Sequence, residues 1–97
     1  MNPATAAASE LARLTGMGED YQQHPDSYLP HIIGFAKETV LDQLGNGGGN
    51  PQQEVTAILS ALAKVSASDY QSFAVDLTRR YRSDPNARWL MQLLAAR

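Results

Sequence analysis

Apolar side chains recur at three- and four-residue steps along most of this chain, and no stretch alternates apolar and polar over the length of a strand. Residues 51–65 show the period best. Val55, Ile58, Leu59, Leu62 and Val65 share one helical face, while Gln52, Gln53, Thr56, Ser60 and Lys64 fall outside it. A second helix is predicted from Asp26 or Ser27 to Leu44, with Leu29, Ile33, Ala36, Val40 and Leu44 on its apolar face. Tyr28, Ile32, Phe35 and Leu41 widen that face, and Pro30 falls in the first turn, where no intrahelical donor is lost. Residues 69–82 predict another helix, with Tyr70, Phe73, Ala74, Leu77 and Tyr81 inward and Asp76, Arg79, Arg80 and Arg82 in water. Residues 3–15 are rich in alanine, which favours helix, but Leu11 and Leu14 are their only large apolar side chains. So thin a stripe buries little, so this helix must dock on something or fray, and residues 1–16 are expected to be the least secure member of the bundle.

Start and stop signals agree with this division. Asn2-Pro3, Asn50-Pro51 and Asp84-Pro85 each pair a good N-cap with a proline whose backbone is already near helical. Ser68 with Gln71 reads as a capping box, which leaves Ser66-Ala67-Ser68 as a tight turn. Gly16 suits a C-cap, and Gly45 is expected to end the second long helix. Residues 16–26 are polar, with two glycines and a proline, and read as a loop. Residues 45–50, GNGGGN, read as a flexible loop or hinge inside one domain spanning residues 1–97. The predicted fold is all-α: a compact bundle of four to five short helices.

The last helix changes the picture. Trp89, Leu90, Met91, Leu93 and Leu94 are nearly contiguous, so they cover more of the helix than one packing face requires. Either this helix is the centre of the bundle, wrapped by the others, or part of it is a docking face. Charge adds to the second alternative. Net charge is only −2, but residues 1–67 hold three basic and seven acidic side chains. Residues 68–97 hold five arginines against Asp69, Asp76 and Asp84, a sign asymmetry that can mark an interaction surface. Trp89 and Met91 with their arginine rim, Arg82 and Arg88, and the neighbouring Arg79 and Arg80 are the candidate partner-binding residues, of side-chain types enriched at protein interfaces.

No set of residues implies a reaction. His24 and His31 are the only histidines, and a zinc site needs three or four ligands at compatible spacing. His24 is expected in a solvated loop and His31 partly packed in a first helical turn. The glycine segment lacks the lysine and the preceding strand of a phosphate-binding loop, and Pro51 removes an N–H that an anion would use. Carboxylate pairs at Glu19-Asp20 and Glu38 with Asp42 lack an apolar pocket to raise either pKa. No serine lies in a GxSxG elbow. No catalytic residue, metal or cofactor is therefore expected, and no small-molecule substrate is evident.

The chain has no cysteine, no basic n-region followed by an apolar run, and no stretch long enough to span a bilayer. A cytoplasmic, non-enzymatic protein is expected, acting by contact as an accessory, adaptor, chaperone-like or inhibitory partner of another protein, or self-associating. The alternative is a small DNA- or RNA-binding protein that uses the Arg-rich helix over residues 69–82, the fourth in chain order, in a helix-turn-helix-like arrangement. An acidic balance, with pI near 5.5, disfavours it.

Overall fold

In the computed structural model, which describes residues 3–46 and 51–96, most of the described residues are helical and no strand occurs among them. The all-α expectation holds. Six helices follow in order: α1 Pro3–Leu14, α2 Gly18–Gln23, α3 Pro25–Asn46, α4 Pro51–Val65, α5 Ala67–Tyr81 and α6 Arg88–Ala95. No helix among the described residues is long and apolar enough to cross a membrane.

α4 is the centre of the bundle. Its period places Val55, Ile58, Leu59, Ala61 and Leu62 inside, and it packs against α1, α3, α5 and α6. Burying each large side chain of this kind contributes about 1.5–3 kcal/mol. The last helix is therefore not the wrapped one. α6 packs on α4 and α5 at the edge and buries Leu90 completely, leaving Trp89, Met91, Leu93 and Leu94 half-buried.

α1, the helix that must dock or fray, packs onto the bundle. Ala7, Ala8, Leu11 and Ala12 are all buried, and the neighbour they cover most extensively is α4. The alanines contribute through their small size: with no bulk on the contact face, two helices approach closely and Leu11 reaches the core. The helix ends at Gly16, as expected, and Gly16 takes a left-handed φ of +79°. Its N–H bonds the Arg13 carbonyl at 3.2 Å, while the Met17 N–H reaches back to Ala12 at 2.8 Å. That pair of bonds is a Schellman cap.

Residues 16–26 are not a loop throughout. Gly18–Gln23 forms the short helix α2, opened by the Tyr21 N–H bonding the Met17 carbonyl at 3.0 Å. Met17 and Tyr21, one turn apart, both pack against the core and anchor it. One residue, His24, then separates α2 from α3.

α3 starts at Pro25, earlier than Asp26 or Ser27, and this moves Pro30 out of the first turn into the helix interior. There its ring removes one intrahelical hydrogen bond, at an exposed position. The buried face is also rotated. Ile32, Ala36 and Val40 are fully buried, Leu29 and Ile33 only half, and Phe35 is 48% exposed. α3 carries apolar residues on most of its circumference, so periodicity alone did not fix which side turns inward. Nor does Gly45 end it, because the helix runs on through Asn46. The rest of the expected hinge, residues 47–50, lies outside the described residues.

The turn before α5 is a single residue. Ser66, rather than Ser68, is the N-cap, and its Oγ accepts the Asp69 N–H at 3.3 Å while donating to the Asp69 carboxylate at 2.8 Å. The capping partner three residues on is thus Asp69 and not Gln71. Lys37 of α3 adds a 3.0 Å ion pair to the same carboxylate, tying α3 to this corner. After α5, Asp84 caps as expected, accepting the Asn86 N–H at 2.9 Å, with Pro85 first in the turn. What it caps is a 3-10 turn, Pro85–Ala87, and α6 starts only at Arg88.

Candidate functional site

The six residues singled out by sequence do not form one surface. Each residue turns a helix by about 100°, so Trp89 and Met91 lie on opposite shoulders of α6, on either side of the buried Leu90. No flat partner face touches both. Val75 and Arg79 share the outward side of α5, which Arg82, its C-cap in helical conformation, continues, whereas Arg80 is turned about 140° from Val75. All four arginines, Arg79, Arg80, Arg82 and Arg88, are exposed, and none forms an ion pair among the described residues.

Trp89 has the more developed surroundings. Half-buried, it lines a cleft of about 290 Å³ together with Leu44 of α3, Pro51 of α4, Tyr81 of α5 and Ala87. Polar groups of Asp84 and Asn86 complete the wall. The cleft exists because α5 stops at Tyr81 and the 3-10 turn swings α6 back onto α4, so three helix ends and a turn meet around one indole. Leu44 and Pro51 belong to this site and were not recognised from sequence, since only the fold brings residues so distant beside Trp89. Met91 faces away from it, packed along the core edge.

The other candidate groups remain apart. His24 and His31 are both exposed, so His31 is not packed as expected, and each is in ring contact with Tyr28 between them. Centroid separations are 6.1 Å, stacked, for His24 and 5.9 Å, edge-on, for His31. Among the described residues no group of three or more His, Asp or Glu side chains is close enough to hold a metal ion. Glu10 and Arg13 form an exposed ion pair one turn apart on α1. The hydrogen bond from Arg13 holds the Glu10 carboxyl below its ordinary range, and the Arg13 guanidinium is raised in return. Asp69 is held low first by the Ser66 hydroxyl and then by Lys37. Both lowered carboxylates belong to helix-end contacts and neither faces the Trp89 cleft.

As to a groove-binding helix pair, α4 and α5 are joined by Ser66 alone, where a helix-turn-helix uses a turn of about three or four residues. Two large apolar residues outside the sequence-derived set stand out in water: Phe35 on α3, 48% exposed, and Val75 on α5, 53% exposed. Comparison of the chain with protein-family models, curated proteins and solved structures finds no match.

Proposed function

We propose that this chain is a non-enzymatic cytoplasmic protein that works by protein–protein contact, as an adaptor, chaperone-like or inhibitory component. Its docking corner is the Trp89 cleft, with the exposed Arg82 and Arg88 nearby in sequence. The observation that carries this is the position of Trp89, held half-buried over an apolar floor of Leu44, Tyr81 and Ala87. A half-buried aromatic side chain in a cleft of this lining is of the residue type that anchors binding hot spots.

Nucleic acid is the competing partner, through Arg79, Arg80 and Arg82 on α5. It is less favoured because the connector before α5 is one residue and the chain is acidic overall. Affinity capture with the intact protein, run beside heparin and DNA columns, separates the two. A protein partner or second copy that binds saturably, and is lost when Trp89→Ala is the bait, is the expected result. Retention on DNA that falls steeply with salt, indifferent to Trp89→Ala, would instead mark a phosphate-binding protein.

A further inference from the structure

Phe35 and Val75, the large apolar side chains most exposed among the described residues, are each the centre of an outward helical seam. On α3 the seam runs Tyr28, His31, Phe35, Glu38, Asp42; on α5 it runs Ser68, Ser72, Val75, Arg79, Arg82. Both advance by alternating three- and four-residue steps, the spacing by which one helix packs along another. Every member is exposed except Tyr28, which is half-buried. Beyond its apolar centre the α3 seam ends in carboxylates, and the α5 seam, beyond its own, ends in guanidinium groups.

We infer that these seams are two halves of one interface, and that the occupant of the α3 face is the α5 face of a second copy of this chain. Laid parallel with Phe35 against Val75, the seams place Tyr28 against Ser68 and Glu38 beside Arg79. Both ends of the pairing match: small side chains meet rings at one, and opposite charges meet at the other. Antiparallel pairing would set the arginines against Tyr28 and His31 and leave Glu38 facing Ser72. The contact is impossible within one molecule. Lys37, whose ion pair joins α3 to α5, lies about 160° around α3 from Phe35, so the α3 seam faces away from the α5 it touches.

The inference rests on the contact function proposed above, names the second copy as a partner, and uses faces other than the Trp89 cleft. Since the two surfaces differ, the association is heterologous and builds chains or rings rather than a two-fold dimer. A single pair of helical seams is a small interface, so assembly depends on concentration and weakens with salt.

Sedimentation of the full chain over a range of concentrations tests it, with Phe35→Asp breaking one face and Val75→Asp the other. Both positions are exposed, and unchanged circular dichroism melts show that the variants remain folded. Wild type should gain mass with concentration, and each variant alone should stay at the mass of one chain. An equimolar mixture of the two should form dimers and nothing larger, because each retains the face the other lacks. Glu38→Arg should weaken assembly at least tenfold, and adding Arg79→Glu to the same chain should restore it. Monomeric wild type at every concentration, variants that assemble as wild type does, or a mixture that stays monomeric would each overturn the inference. Assembly abolished by Trp89→Ala and untouched by Phe35→Asp would overturn it too, while leaving the proposed docking at Trp89 standing.

Discussion

Gly34 stands in the middle of α3, exposed, and a Cβ added there would meet nothing within 4 Å. Glycine in a helix interior costs about 1 kcal/mol relative to alanine through lost backbone freedom. Gly34→Ala should accordingly raise the melting temperature by about 4–8 °C, measured by circular dichroism. Asp69 has the opposite character, since its side chain holds three elements together. Its carboxyl titrates below the ordinary aspartate range, because Ser66 donates to it and Lys37 pairs with it. The folded chain therefore binds that proton less readily than the unfolded chain. Its stabilisation is present above the ordinary aspartate range and is lost as pH falls through the folded value. Denaturant midpoints measured at successively lower pH should fall more gently in Asp69→Asn than in wild type. Identical acid limbs would show that the cap and the Lys37 pair contribute nothing.

At the scale of helices, α1 gives the most direct check on packing. Leu11 and Leu62 are both fully buried, one on α1 and one on central α4. If α1 is docked along its length, Leu11→Ala and Leu62→Ala should each cost about 2–5 kcal/mol in urea unfolding. A cost near zero for Leu11→Ala alone would mean that α1 frays. Most helices were legible because their apolar period is strong and their caps are chemical: Pro51 to Val65 matches α4 as expected. Errors arose where the signal was weak or shared. Alanines mark a helix but conceal how closely it packs. α3 is apolar on so many sides that its rotation was left open, and Phe35 was placed inward. The Met17–Tyr21 pair that anchors α2 was masked by glycines and by Pro25 around it. Two serines separated by one residue compete as caps, and Asp69 decides for Ser66 because it can both accept from the hydroxyl and reach Lys37.

For the whole molecule, the candidate site was half legible. Sequence identified Trp89 and the arginines by residue type and by the surplus of apolar positions in the last helix. It did not reveal that Leu90 divides that helix, so that Trp89 and Met91 look in different directions. Nor did it supply Leu44 and Pro51, which reach the cleft from other helices. The exposed Val75 between Ser72 and Arg79 was visible on a helical wheel as the apolar member of a polar face.

The central claim is that the half-buried indole serves binding more than folding, and one variant addresses both sides of it. Trp89→Ala, studied by thermal unfolding and by a binding assay on the same preparation, should melt within a few degrees of wild type. It should also bind its protein partner more weakly by about 2 kcal/mol, some thirtyfold in affinity. A variant that binds as tightly as wild type, or one that loses binding only because it unfolds, would contradict the account.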